Sequence, residues 1–232
     1  MYNVTEKRTG ELHGKSFTYI CDPDPKQHPT WWCFIDEHEV RERWWKIAPG
    51  EIVLDCGAAF GSYTLPALAQ GAAHVYAWSP EGMDVVLSKN LNSNGWISKC
   101  TVFKTGLWSR LGCLKCPEKT LPRLFSNPEE AKKDPEPGAT FLVSTLDFQI
   151  PPSLRHVDWI KLDVEGAEVE VLKGGKGTLR RWKPKILVEN HLFKDPGIET
   201  KVHEFLDSLK LRYSLIATVP YHGVSHSLYM CT

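Results

Sequence analysis

Three short stretches concentrate the residue types that bind charged ligands or move protons: VLDCGAAFGSYT (53–64), DWIKLDVEGAEVEVLKGG (158–175) and KILVENH (185–191). In the first, Asp55 closes an apolar run, Gly57 permits a sharp turn, Gly61 permits a close approach, and Ser62, Tyr63 and Thr64 open the next element. Backbone amides of such a turn are expected to face a ligand. A dinucleotide fingerprint would read G-x-G-x-x-G, its middle glycine making room for a pyrophosphate at a helix N-terminus. Here Ala59 takes that middle place and the spacing is D-x-G-x-x-x-G. An acid ahead of the first glycine repels a pyrophosphate and accepts hydrogen bonds from an ammonium group. A cofactor carrying an amino acid rather than two phosphates fits better, and S-adenosylmethionine is the common one.

The other two stretches end in acids and a histidine. Glu189 and His191 stand two residues apart, so in a strand they share a face, with Val188 and Asn190 on the other. Asp163 and Glu165 close the neighbouring acidic stretch, and Lys161 alternates with Ile160 and Leu162, either paired with a carboxylate or on the exposed side of its strand. Cys113 and Cys116 form a lone C-x-x-C; without a second pair or a nearby histidine pair, they read as two residues of a strand rather than zinc ligands. H-E-x-x-H, G-x-x-x-x-G-K-[ST] and G-x-S-x-G are absent from the sequence, which argues against a zinc protease, a P-loop hydrolase and the commonest serine hydrolase. IPPS (150–153) lacks the flanking acid or amide and aromatic with which amino-methylating nucleic-acid enzymes grip a flipped base.

Such residues need a scaffold that brings strand ends to one edge. IDEHEVRERWWKI (35–47) reads as a helix with Asp36 as N-cap, closed by APG at Gly50. EIVLDCG (51–57), HVYAWSP (74–80) and KCTVFKTGL (99–107) read as strands, separated by the helices SYTLPALAQGA (62–72) and EGMDVVLSKNLNSNG (81–95). This alternation is the signature of a parallel sheet covered on both faces, with ligands beyond the carboxyl ends of its strands. Residues 117–138, rich in proline and charge, read as a long surface loop or insertion. Alternation resumes with DWIKLDVEG as a strand, AEVEVLKGGKGTLRRW (167–182) as one helix, PKILVENH (184–191) as a strand and GIETKVHEFLDSLK (197–210) as a helix. YSLIATV and HSLYMC close the chain as a hairpin around PYHG. One domain is expected over 36–232, preceded by an irregular polar segment, 1–35.

Lysine and arginine number 28, as do aspartate and glutamate, so no overall positive field is available for a phosphate backbone, and no nucleic-acid partner is expected. No apolar run approaches the roughly 20 residues of a membrane span, which with a polar opening points to a soluble, cytoplasmic protein without a membrane partner. The seven cysteines are an odd number, and Cys56, Cys100 and Cys231 lie in apolar surroundings, so buried reduced thiols outrank disulfides.

The glycine turn, DWIKLDVEGAEVEVLKGG and KILVENH, in this order and with STLDF (144–148) ahead of the acidic strand, resemble the FkbM-type family of S-adenosylmethionine-dependent methyltransferases. The resemblance runs from about Trp44 to the last helix. It implies the class I methyltransferase fold, a Rossmann-like α/β three-layer sandwich whose mostly parallel sheet ends in a C-terminal antiparallel hairpin. It implies that Asp55, Gly57, Ala58, Phe60, Gly61 and Thr64 line the methionine end of the cofactor. Ser79, Pro80, Glu81 and Leu107 complete the cofactor set, and Asp163 and Glu165 lie beside the sulfonium. One position departs: the family usually ends its second strand with an acid that binds both ribose hydroxyls, and AWSPEG puts Ser79 there, with Glu81 two residues on as the group that could reach back.

The activity implied is O-methylation of a small-molecule hydroxyl, such as that of a sugar or a secondary metabolite. Methyl transfer from a sulfonium is an in-line displacement in which the protein aligns donor and acceptor, and a hydroxyl acceptor must also lose its proton. The expected catalytic set is His191 as base or acceptor-orienting group, Asp163 nearest the cofactor, and Glu189 and Glu165 assisting. A divalent metal on Asp163, Glu189 and His191 is chemically allowed but not favoured, because nothing in the sequence fixes its geometry. A catalytically silent module remains an alternative on the ground of Ser79. A nucleotide-cofactor oxidoreductase is disfavoured by Ala59 and Asp55. Trp31, Trp32 and Trp44 are open between sugar stacking and core, and Trp45 reads as core.

Overall fold

The computed structural model describes residues 5–21, 34–35, 37–79, 82–117 and 121–232. Their contacts gather into two compact units, Met1–Lys104 and Thr105–Thr232.

The first unit opens with an antiparallel hairpin, β1 (Glu6–Leu12) and β2 (Lys15–Cys21), where the sequence reads as irregular. Lys7, Thr9 and Glu11 of β1 face solvent, while Leu12, Phe17, Tyr19 and Cys21 are buried; a hairpin with one wet face carries too few apolar residues to stand out by composition. Helix α1 (His38–Trp44) is shorter than the pattern suggests. Its expected cap, Asp36, and both Trp31 and Trp32 lie outside the described residues. Trp44 is buried, and Trp45 is fully buried with its indole N–H donating to the Tyr63 carbonyl at 3.0 Å, as a core residue should. Strands β3 (Ile52–Cys56), β4 (His74–Trp78) and β5 (Cys100–Phe103) pair in parallel, with α2 (Thr64–Gln70) and α3 (Met83–Ser93) as their crossovers. Val53, Leu54, Val75 and Ala77 are fully buried, as continuous apolar runs of parallel strands require.

The second unit begins with a small mixed sheet. Its strands β6 (Gly106–Leu107), β7 (Gly112–Pro117), β8 (Arg123–Phe125) and β9 (Gly138–Ser144) lie in the order β6-β9-β7-β8, with α4 (Pro128–Lys133) between β8 and β9. The stretch read as a surface loop or insertion thus holds two regular elements, β8 and α4, its described residues are mostly exposed, and some of its charge is paired internally. The Lys115 ammonium, almost fully buried, donates to the Asp134 carbonyl at 2.6 Å, and Arg123 reaches the Asp134 carboxylate at 2.8 Å. Asn127 caps α4 by accepting from the Glu130 amide at 3.0 Å, with proline in the first turn. Cys113 and Cys116 both belong to β7. The expected third strand thus divides between β5 and β6.

Helix α5 (Leu146–Gln149) leads to β10 (Trp159–Leu162), α6 (Glu168–Gly174), α7 (Lys176–Trp182), β11 (Lys185–Asn190) and α8 (Ile198–Ser208). The chain ends in the hairpin β12 (Tyr213–Tyr221) and β13 (Val224–Cys231). Strands β10 and β11 run parallel, β13 pairs antiparallel with β11, and β12 closes on β13 as expected. The single helix expected over 167–182 breaks at Gly175 instead. A Cβ on Gly174 would collide with the Trp108 carbonyl, and one on Gly175 would stand 2.8 Å from Leu146 Cδ2, so the glycines serve close packing where the helix bends. No helix among the described residues is long and apolar enough to cross a membrane.

Candidate active site: a neutral turn and a charged cluster

In the first unit the chain leaves β3 and turns through Gly57 (φ 95), Ala59 (φ 44) and Gly61 (φ 99) into α2. Three residues at positive φ within five explain the glycine spacing, and Ala59 bears the strain that an L side chain meets there. Asp55, 1% exposed, accepts the hydroxyl of the fully buried Thr64 at 2.5 Å, tying the strand end to the first residue of α2. The amides of Gly57 and Ala58 both donate to the Trp78 carbonyl, at 3.1 and 2.8 Å, and that of Gly61 to the Ala58 carbonyl at 2.7 Å. These three amides therefore build the turn itself rather than face a ligand. A Cβ on Gly61 would stand 2.8 Å from Leu87 Cδ1, so this glycine lets the turn approach α3.

The turn's carbonyls are held as well. Ser79, fully buried, donates its hydroxyl to the Ala59 carbonyl at 2.9 Å, and Asn90 donates to the Phe60 carbonyl at 2.8 Å. Ser79 therefore braces the turn from the place where a ribose-binding acid was expected. Pro80 and Glu81 lie outside the described residues. Ala58 and Phe60 are buried. Burial pushes the Cys100 thiol far above its ordinary range, and the negative charge of Asp55 adds to the shift. A carboxylate beneath a turn suits an ammonium-bearing ligand such as S-adenosylmethionine and opposes a pyrophosphate. Leu107, the remaining expected cofactor residue, is buried in β6 of the second unit, opposite Ser144 of β9.

In the second unit Asp163, Glu165, Glu189 and His191 come together. His191 follows β11, is 2% exposed, and presents Nδ1 to Glu168 Oε1 at 2.7 Å. Its Nε2 lies 3.6 Å from Asp163, 3.7 Å from Glu165 and 3.8 Å from Glu189. Burial pulls the imidazole pKa down, but the nearby Glu165, the hydrogen bond to Glu168 and the fields of Asp163 and Glu168 outweigh it and push the value up to about 11. Glu165, at φ 55 in the turn after β10, is held down at about 2, chiefly by the His191 imidazole 3.7 Å away and further by Lys194 at 2.9 Å. Lys161 is fully buried, 3.5 Å from Glu189 and 3.8 Å from Asp163, so the alternative of an exposed lysine is overturned. Among the described residues, Asp163, Glu189 and His191 each bring one donor atom within 4.8 Å of the others, close enough for a cation.

Three participants escape a reading of the sequence. Glu168 orients His191, Lys194 anchors Glu165, and Asn90 holds the turn. Spacing offers a hint for each: Glu168 is three residues past Glu165, Lys194 three past His191, and Asn90 four before Asn94 on one helix face.

A family model described as the methyltransferase FkbM domain matches residues 55–215. No curated protein matches the sequence. Among solved structures, a methyltransferase FkbM from Methylobacillus flagellatus KT is 17% identical with a TM-score of 0.59, over 82% of this chain and 46% of that one. This chain thus spans about half the length of that relative. Precorrin-6y C5,15-methyltransferase from Geobacter metallireducens GS-15 is 15% identical with a TM-score of 0.53, over 89% and 95% of the two chains. The 16S rRNA N2 G1207 methyltransferase RsmC of T. thermophilus, solved with AdoMet and guanosine, is 14% identical with a TM-score of 0.53, over 98% and 50%. At these identities the likeness shows the fold, that of the class I methyltransferases.

Proposed function

Because this chain belongs to the methyltransferase FkbM domain family, we propose that it transfers a methyl group from S-adenosylmethionine to a hydroxyl of a small molecule such as a sugar or a secondary metabolite. The observation that carries the reading is the charged cluster, where a buried imidazolium faces three carboxylates. An alcohol needs a proton acceptor as its oxygen attacks carbon, and the carboxylates of this cluster are groups able to serve as one. Asp163, 30% exposed in its side chain, takes the proton, and Glu189 assists. His191 carries its own proton and so takes the orienting role of the two that the sequence leaves open, with Glu165 and Glu168 holding it in place.

S-adenosylmethionine supplies the activated methyl group, and Asp55 and the turn residues 57–64 would hold its amino-acid end. In this reading the Lys161 ammonium supplies positive charge beside Glu189 and Asp163, and no metal takes part. Zero formal net charge favours a small acceptor over nucleic acid. The buried thiols of Cys56 and Cys100 suit a reducing cytoplasm. A second reading, a binding module without turnover, is favoured by Ser79, whose hydroxyl is spent on Ala59 rather than open to a ribose.

The test is incubation with S-adenosylmethionine and a panel of sugars, phenols and amines, followed by mass detection of methylated products. Methylated hydroxyls that still form in chelator, with His191→Gln lowering turnover about tenfold or more and cofactor affinity less than about twofold, are expected. Methylation confined to amines would overturn the acceptor class. Cofactor binding with no product from any of them would favour the module.

A further inference from the structure

Asn90 lies in α3, is fully buried, and uses both ends of its side-chain amide. Its nitrogen donates to the Phe60 carbonyl in the glycine turn at 2.8 Å, and its oxygen accepts the Ile20 amide of β2 at 2.7 Å. One turn later on the same face, Asn94 makes the same kind of clasp on β2 alone, accepting from the Thr18 amide at 2.7 Å and donating to the Thr18 carbonyl at 2.6 Å. The two asparagines stand in for a neighbouring strand along β2, but only Asn90 also reaches the turn. The Phe60 carbonyl sits beside Ala59, whose φ of 44 is a conformation that persists only when its surroundings over-determine it.

We propose that Asn90 is a positioning residue for the cofactor turn, and that through it the N-terminal hairpin β1–β2 helps to hold that turn in its ligand-binding form. The idea rests on the reading that the turn binds S-adenosylmethionine. A chain whose turn is ordered only part of the time binds its ligand more weakly by that fraction. Losing the Asn90 donor removes a buried hydrogen bond to the Phe60 carbonyl and loosens the turn, whereas losing the Asn94 clasp removes hairpin contacts and leaves the bond from Asn90 to the turn.

The two ends of Asn90 can be separated. Asn90→Asp keeps an oxygen for the Ile20 amide but sets a carboxylate against the Phe60 carbonyl. Asn94→Ala removes the clasp on Thr18 and the bond from Asn94 to the Asn90 main-chain carbonyl at 2.7 Å, and leaves the Asn90 side chain and its bond to the turn in place. Calorimetric titration with S-adenosylmethionine and amide hydrogen exchange of the unliganded full chain are measured for both variants and wild type, after a thermal melt confirms cooperative folding.

The expected result is that Asn90→Asp weakens binding about tenfold and speeds exchange at Gly57, Ala58 and Gly61, while Asn94→Ala changes affinity less than about twofold and leaves those amides protected. Unchanged exchange in the turn of Asn90→Asp, or equal loss in both variants, would overturn the proposal. If wild type binds no cofactor, the cofactor reading fails, and the exchange comparison still decides whether Asn90 holds the turn. If Asn90→Asp does not fold, Asn90→Ala replaces it in the same comparison.

Discussion

The turn at 57–61 is held by hydrogen bonds between neutral groups, two amides on the Trp78 carbonyl and two side chains on its own carbonyls. The cluster around His191 is held by charge, with Lys161, Lys194 and the imidazolium set among Asp163, Glu165, Glu168 and Glu189. The first arrangement fixes backbone shape, which is what a cofactor turn must offer before its ligand arrives. The second gathers ions of both signs around one imidazole. The difference should appear when each is damaged: losing one bond in the turn is a modest local event, whereas losing one ion in the cluster strands the others in a place with little water.

The largest effect is expected from Lys161→Met. It takes a fully buried ammonium from beside two carboxylates and should cost about 3–5 kcal/mol, read as a lowered urea midpoint with an unchanged slope. Ser79→Ala, which leaves only the Ala59 carbonyl unpaired, should cost about 1–3 kcal/mol. Similar losses for the two variants would erase the contrast between charge and neutral bonding.

A finer test uses pH. His191 is held at about 11 when folded, against 6.5 as an ordinary imidazole. The folded chain therefore binds its proton more tightly, and this contribution to stability is complete below about pH 6.5, declines as the pH rises, and is gone above about 11. Unfolding midpoints of wild type should fall between pH 7 and 9 more steeply than those of His191→Gln. Parallel slopes would show that the imidazole carries no extra affinity for its proton.

The turn was the more legible of the two regions. Few residue types tolerate positive φ, so the glycines at 57 and 61 and the acid at 55 announce a strained strand-to-helix connection in any setting. The strands β3, β4, β10 and β11 were legible for a related reason, since burial on both faces leaves unbroken apolar runs. The cluster was half legible. Glu189 and His191 share a face by strand period, but the contacts of Glu168 with His191 and of Lys194 with Glu165 join segments that no strand or helix period relates.

The hairpin β1–β2 left one local sign, the two-residue loop His13–Gly14 with both residues at positive φ, which suits the primed turns of tight hairpins. Its polar alternation hid the rest. Proline and charge over 117–138 leave no periodicity that marks β8 or α4, and only the structure shows Lys115 and Arg123 turned onto Asp134.

Titration calorimetry of the whole chain with S-adenosylmethionine and its demethylated product, beside Gly57→Val, tests the central claim most directly. A β-branched residue at φ 95 is incompatible with the turn. Binding by wild type in the micromolar range, about −8 kcal/mol, with none by a folded Gly57→Val, is the expected result. No binding of either compound by wild type, or equal binding by the variant, would contradict the claim that this turn is the cofactor site.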